Sequence, residues 1–379
     1  MIYFIILFLI LSLAIKYDFR SNQLQNRWYN ILFVTLVLLA GLRFRVGTDT
    51  LVYMDEYEAG SNNLSFIKDK YLIGWYLFMK ACHSLHLSFY IVQFIIAIVI
   101  NFGIFRFLKR SMPMATFSLL LLYYVLIYPG WNFEVLRQAI CISLFLFALP
   151  YLEEKKYIKY YALVAIACTF HETSLFLLLI PLIVRIPVTR KTLSIMISLL
   201  LLFICAAPFI RERVVTFSLI LLPFQDKAAY YFDAVNLNTS FSISNFLFNM
   251  VLNVALPICA IIRNIRTKRF SDTFIILSMI SLLTYSLSTM LPMMYRLSYF
   301  FVLFSYILLV SLFLDVSKSI AKKGGRMTFF FLLIIFISFK ARIYFVANSD
   351  TPMYVHYYPY TNIFNEEIVS ERECIDKLY

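Results

Sequence analysis

A chain of 379 residues that is 62% hydrophobic, 18% aromatic and only 15% charged is not built as a soluble protein, in which roughly 25% of residues carry charge. Its mean hydropathy of +0.80 and its net charge of +13 describe an integral membrane protein with cations placed between apolar segments. A nucleic-acid partner is excluded on distribution, because the lysines and arginines gather in short clusters of the kind that flank membrane helices.

A spanning helix needs about 20 mostly apolar residues. That rule places segments near residues 1–16, 28–42, 87–106, 114–129, 132–151, 157–171, 172–186, 191–209, 243–262, 271–291, 294–314 and 327–347. The first lacks a basic leader and a small-residue cleavage site, so it reads as a span and not as a removed signal peptide. Residues 71–86 are apolar but carry Lys80, His83 and His86, which suits an interfacial or re-entrant helix. The expected fold is therefore an all-α polytopic membrane protein of about twelve transmembrane helices. Residues 1–347 would form one bundle, with outer loops at 43–86 and 210–242, and 348–379 an external tail.

The basic clusters orient this model. Lys16, Arg20 and Arg27; Arg106, Lys109 and Arg110; Lys155, Lys156 and Lys159; Arg185, Arg190 and Lys191; Arg263, Arg266, Lys268 and Arg269; and Lys318, Lys322, Lys323 and Arg326 lie in alternate loops and hold more than half of the 34 cations. By the positive-inside rule these loops face the cytoplasm and both termini face out. The long connections then fall on the outer side, where long loops tend to carry function. The six cysteines are scattered without a C-x-x-C pair and the four histidines are dispersed, so no metal site is expected.

Five stretches put polar groups in or beside apolar runs, where ionisable residues tend to be functional. In "GLRFRVGTDT", Arg43, Arg45, Gly47, Thr48 and Asp49, with Tyr53 beyond, stand at the outer end of the second span. Two guanidiniums offer planar donors for phosphate, and Asp49 can take a proton from a hydroxyl; an interfacial anchor paired to Asp49 is the plainer alternative. In "YPGWNFEVLRQAI", Pro129 and Gly130 are expected to break the chain and Asn132 to cap the next helix, whose first turns bring Glu134, Arg137 and Gln138. Arg137 there is an anion ligand or the partner of Glu134 at i, i+3. "FHETS" sets His171 and Glu172 at an outer turn, the histidine as a proton donor or acceptor or a phosphate ligand. Arg296 in "LPMMYRLSYF" opens another outer helix and would complete a ring of arginines. The tail "YVHYYPYTNIF" carries His356, Tyr357, Tyr358 and Tyr360, an aromatic belt or a platform for sugar rings.

In order along the chain, "LRFRVGTDTLVY", "NFEVLRQAICISL", "FHETSL", "YRLSYF" and "YYPYTNIF" make the sequence similar to the EpsG-type, Wzy-like polysaccharide polymerases of bacterial capsule, exopolysaccharide and O-antigen assembly. Thr50 departs from a position where relatives often carry an aromatic residue. The resemblance implies a GT-C-like glycosyltransferase in the bacterial cytoplasmic membrane, working at its outer face on undecaprenyl-diphosphate-linked oligosaccharide. The growing chain would pass from its lipid diphosphate to a hydroxyl of the next lipid-linked repeat unit. Asp49 and His171 would be catalytic. Arg43, Arg45, Thr48, Tyr53, Arg137, Gln138, Arg296, Tyr357, Tyr358 and Tyr360 would bind diphosphate and sugar. No cofactor or metal is expected; the expected partners are the lipid-linked substrate, membrane lipids, a chain-length regulator and a flippase.

Two other classes share some of these features. A lipid-linked oligosaccharide flippase would place its polar groups at mid-membrane, whereas these arginines cluster at the outer ends. A membrane acyltransferase acting on surface sugars would call for a catalytic histidine reached from the cytoplasm, opposite to His171 in this topology.

Overall fold

The computed structural model describes residues 1–20, 24–59, 72–221, 243–288, 294–320, 325–345 and 353–372, by backbone alone at Thr48, Ala59, 207–221 and 243–246. Among the described residues the regular secondary structure is helical, apart from one isolated antiparallel bridge between Arg43 and Asn362. They form two compact units, one of Met1–Leu178 with Leu333–Tyr379 and one of Leu179–Leu332.

By length and composition, five helices among the described residues are able to cross a membrane: Phe89–Ser111, Leu136–Glu153, Leu247–Thr267, Val302–Ile320 and Gly325–Phe345. Shorter apolar helices cover Ile2–Tyr17, Pro113–Leu126, Tyr157–Phe170, Glu172–Ile183 and Asp272–Ser288. The chain is an all-helical polytopic membrane protein.

The first unit opens with α1 (Ile2–Tyr17), α2 (Leu24–Gly41), α3 (Thr48–Ala59) and α4 (Ile73–Ser84). It continues with α5 (Phe89–Ser111), α6 (Thr116–Leu126), α7 (Leu136–Glu153) and α8 (Tyr157–Phe170). Helix α4 is the expected interfacial segment; its 12 residues rise about 18 Å, short of the roughly 30 Å of a hydrocarbon core. Helices α5 and α7 approach closely because Gly103 has no side chain: a Cβ there would lie 2.0 Å from Ser143 Oγ. Ser143 in turn donates to Val99 O at 2.7 Å, as small and hydroxylated residues do where membrane helices touch.

Polar groups buried among these helices close on one another, as an apolar surround requires. Asp18, just past α1, is fully buried and accepts from Phe117 N at 3.1 Å and from Ser118 N and Oγ at 2.7 Å each. A carboxylate from one helix thus serves the open N–H groups at the start of α6. Asn101 of α5, Tyr123 of α6 and Asn132 form a closed triangle: Asn101 Nδ2 donates to Asn132 Oδ1 at 2.7 Å, Asn132 Nδ2 to Tyr123 Oη at 2.9 Å, and Tyr123 Oη to Asn101 Oδ1 at 3.0 Å.

This triangle corrects one expectation. Asn132 does not cap α7. It lies inside a π-helical turn, Gly130–Glu134, and its amide also donates to Tyr128 O at 3.1 Å. The widened turn carries the chain from α6 to α7 and is pinned by the triangle, so Glu134 and Arg137 inherit their positions from it.

The paired short segments at 157–186 also differ from two α-helical spans. After α8 comes a 3-10 helix, Glu172–Leu179, and one α turn, α9 (Ile180–Ile183). Tyr160 Oη donates to Leu177 O at 2.8 Å, so the 3-10 segment runs back along α8 with His171 at the apex. The 3-10 rise of about 2.0 Å per residue lets the shorter arm match the α-helical one. Each arm reaches only about 20 Å. A hairpin of this kind brings both ends to the same side, so the alternation of basic loops is unchanged whether or not its arms span.

The second unit holds α10 (Arg190–Leu221), α11 (Ile243–Met250), a π turn at Val251–Ala255 and α12 (Leu256–Thr267). After these come α13 (Asp272–Ser288), α14 (Tyr295–Tyr299), α15 (Val302–Ile320) and α16 (Gly325–Ala341), which runs across the boundary between the units. Its core joins α12, α13 and α15, with Phe274 and Phe304 edge to face at 4.9 Å.

Replacing Asn132 by alanine leaves Tyr123 and Asn101 with buried groups short of a partner, at a cost of about 1–3 kcal/mol. The expected result is a lower melting temperature of the purified protein in detergent, with Asn101→Ala similar and the double variant less than additive.

Candidate functional site

Four stretches meet in the first unit: the loop 42–47 after α2, the start of α3, the π turn and the tail 353–372. Phe44 N donates to Thr361 O at 2.9 Å and Ile363 N to Leu42 O at 3.0 Å, while Gly47 N reaches His356 O at 3.1 Å. Gly47 has φ of +92°, and a Cβ there would lie 2.4 Å from Phe133 O. Only glycine permits both the left-handed turn and the close approach.

Arg43 sits at the centre of this crossing and is fully buried. Its Nε donates to Val46 O at 3.2 Å and one terminal nitrogen to Thr50 Oγ1 at 2.8 Å; the other bonds Ala40 O. The guanidinium lies 5.1 Å from the centroid of Phe133. Burial draws its pKa down, to about 10, against the opposing pull of Tyr128, Tyr360 and Glu134, so it stays protonated at neutral pH. Thr50 also donates to Phe133 O. A phenylalanine at position 50 could make neither bond, so the threonine here goes with the burial of Arg43.

Arg43 and Arg45 do not form a pair facing one ligand. Arg45 is half-buried, has φ of +50°, and turns its guanidinium to Met54 Sδ at 3.8 Å. Its backbone is held by the tail, because buried Arg372 donates to Arg45 O at 2.7 Å and to Pro359 O at 2.6 Å. Gln93 of α5 supports the loop from the other side, donating to Gly41 O and Arg43 O at 2.9 and 3.0 Å.

Glu134 links the π turn to α3. Its Oε2 accepts from Asp49 N at 2.8 Å, so a carboxylate occupies the N-terminus of α3. Its Oε1 lies 3.8 Å from His356 Nδ1. Asp49, Glu134 and His356 thus come together from three stretches that are far apart in the chain.

Arg137, half-buried at the start of α7, donates from Nε to Tyr53 Oη at 3.2 Å. Tyr53 packs against Trp75 of α4 at 5.3 Å, Trp75 against Phe78 at 5.8 Å, and Phe78 against Phe170 at 6.4 Å. The circuit closes through α7 and α8. Cys141 Sγ bonds Ala167 O at 3.2 Å, and one turn from each along these antiparallel helices stand Arg137 and His171, at the same height. His171 is 2% exposed. Its Nδ1 accepts from Thr173 N at 3.2 Å, so in the neutral ring the proton is on Nε2.

Of the residues singled out in the sequence, Asp49, Tyr53, Arg137 and His171 share this circuit or adjoin it. Gln138 is buried in α7. Thr48 opens α3. Tyr357 is buried against Phe133 at 5.8 Å and Tyr360 donates to Leu39 O at 3.0 Å, so both hold the tail in place; Tyr358 is 47% exposed. Arg296 belongs to the second unit, half-buried in α14 with its guanidinium 5.9 Å from the Tyr295 ring. Nothing in the local pattern around Glu134 marks it as the cap of α3. Nor does any signal mark Arg372, which stands in a charged stretch that reads as solvated.

Replacing Arg43 by lysine keeps the charge but cannot supply three donors in a fork. The expected outcome is a melting temperature lowered as much as by Arg43→Gln, and a protease-accessible tail, measured by thermal unfolding and limited proteolysis of the purified protein.

Residues 26–362 match the model of the EpsG family. No curated protein and no solved structure matches the chain. A match over nearly the whole sequence is decisive for membership: the chain belongs to the EpsG family of Wzy-like polysaccharide polymerases.

Proposed function

We propose that the protein joins undecaprenyl-diphosphate-linked oligosaccharide repeat units at the outer face of the bacterial cytoplasmic membrane, extending a capsular, exopolysaccharide or O-antigen chain. The observation that carries this reading is the circuit in which Arg137, Tyr53 and His171 stand at one height beside Asp49, within a chain of this family. The acceptor hydroxyl oxygen forms a bond to the anomeric carbon of the growing chain. The bond from that carbon to the lipid diphosphate breaks, and the diphosphate leaves with the electron pair. Asp49 takes the hydroxyl proton.

Charge builds on the departing diphosphate, and fixed donors aimed at it lower the barrier. Arg137 is suited to this role because Tyr53 orients its Nε at the start of a packed helix, so the guanidinium is fixed in direction. His171, with its proton on Nε2, serves as a second donor to the diphosphate. Arg45 and Arg296 are further candidates for phosphate, and Tyr358 for stacking on a sugar ring. Arg43, Tyr357 and Tyr360 act as positioning residues. Guanidinium and imidazole donors meet the leaving group in this scheme, which needs no metal. A chain-length regulator and a flippase are the proteins expected to work beside it.

Purified protein given lipid-linked single repeats should extend them into a ladder on a gel. Arg137→Lys and Asp49→Asn should retain the wild-type melting temperature and lose on the order of 10²–10³ in rate. Normal ladders from Asp49→Asn would remove Asp49 as the base. In cells, deletion should leave single repeats on the surface, whereas loss of every surface repeat would identify a flippase instead.

A further inference from the structure

The second unit carries a basic cluster that the polymerase reading does not use. Asp315, in the last turns of α15 and 8% exposed, holds two arginines at once: Arg263 Nε at 2.9 Å and Arg269 Nη2 at 2.7 Å. Arg269 also bonds Ser311 Oγ. One carboxylate between two guanidiniums leaves a net positive charge. Arg266, Lys268 and Lys318 stand exposed around it, and Asp272 is the other acid at this end of the helices.

Arg263 is held by its Nε, and among the described residues its two terminal nitrogens make no hydrogen bond. Its side chain is 45% exposed. It is therefore a guanidinium fixed in direction with its fork still to be used, a geometry suited to a phosphate.

The same helix shows what bears that phosphate. Val251, Ala255, Cys259 and Arg263 recur every four residues and are all exposed, so an apolar stripe runs along the outside of the helix and ends at the arginine. From Val251 to Arg263 the rise is about 18 Å, close to the roughly 15 Å of one leaflet's hydrocarbon. A soluble anion would need only the cluster, and an acidic protein would leave the stripe uncovered. An acyl chain with a phosphate at its end uses both.

We propose that Arg263, oriented by Asp315, binds together with Arg266 and Lys268 the headgroup phosphate of an anionic membrane lipid whose acyl chain lies on Val251, Ala255 and Cys259. The cluster is one of the basic loops assigned to the cytoplasmic side, so the lipid belongs to the inner leaflet. It shares no residue with the diphosphate site proposed in the first unit.

The test is thermal unfolding of the full-length protein in mild detergent with added phosphatidylglycerol or phosphatidylcholine of the same chains. Phosphatidylglycerol should raise the melting temperature by several degrees more than phosphatidylcholine, and Arg263→Gln should abolish that difference. Arg263→Gln also disturbs Asp315, so the double variant Arg266→Gln with Lys268→Gln is the second probe. Those side chains make no ion pair among the described residues, and the variant should fold normally and lose at least half the difference. Arg110→Gln, at a basic end in the first unit, should keep it. Equal stabilisation by both lipids overturns the proposal, as does an equal loss in Arg110→Gln, which would mean net charge alone. Glycerol phosphate reproducing the effect at the same concentration would make this an anion site without a lipid and overturns the assignment of the ligand.

Discussion

A guanidinium without access to water is the constraint around which the first unit is arranged. Arg43 keeps its charge while fully buried, and a buried charge is tolerable only when its donors are met. Ala40 and Val46 meet two from their backbones, Thr50 meets the third, and the face of Phe133 covers the plane. Each of those partners belongs to a different local structure: the end of α2, the loop, α3 and the π turn. Satisfying one side chain therefore fixes the mutual positions of the segments that carry Asp49, Glu134 and Arg137.

The remaining buried polar groups follow the same logic at other places. Asp18 stitches α1 to α6 and the Asn101–Tyr123–Asn132 triangle fixes the π turn. Asp315 ties α15 to α12 and to the turn that follows α12. In a water-filled surround each would be worth little, because water competes for every bond. Among apolar side chains an unmet group is costly, so each acts as a register mark between helices. Arg45, Asp49 and Arg137, by contrast, stand half-buried at the edge of this network.

The sequence made the class of protein plain because membrane residence is a bulk property: apolar runs and basic clusters are visible without knowing any contact. It also singles out Arg137, His171 and Asp49 as candidates, since a charged residue at the end of an apolar run stands out. It could not separate Arg43 from Arg45. Two arginines two residues apart look equivalent, and their difference arises from a left-handed turn at Arg45 and from Thr361 and Arg372, more than 300 residues away. Asn132 departs from the expected cap for a related reason. Asparagine after Pro-Gly is a normal cap signal, but a π turn satisfied by Tyr123 offered its amide better partners.

The docking of residues 353–372 across the loop 42–47 has a consequence in time. Membrane chains are inserted in the order they are made, and α1 to α8 are in place long before the tail exists. Until Thr361 and Arg372 arrive, the loop backbone at Phe44 and Arg45 lacks the partners that define its path. The path of the loop 42–47 therefore waits on the last stretch of described chain, and a prematurely stopped product inserts as helices but leaves that loop without its backbone partners. Residues 353–372 thereby act as a late clasp on a loop made more than 300 residues earlier.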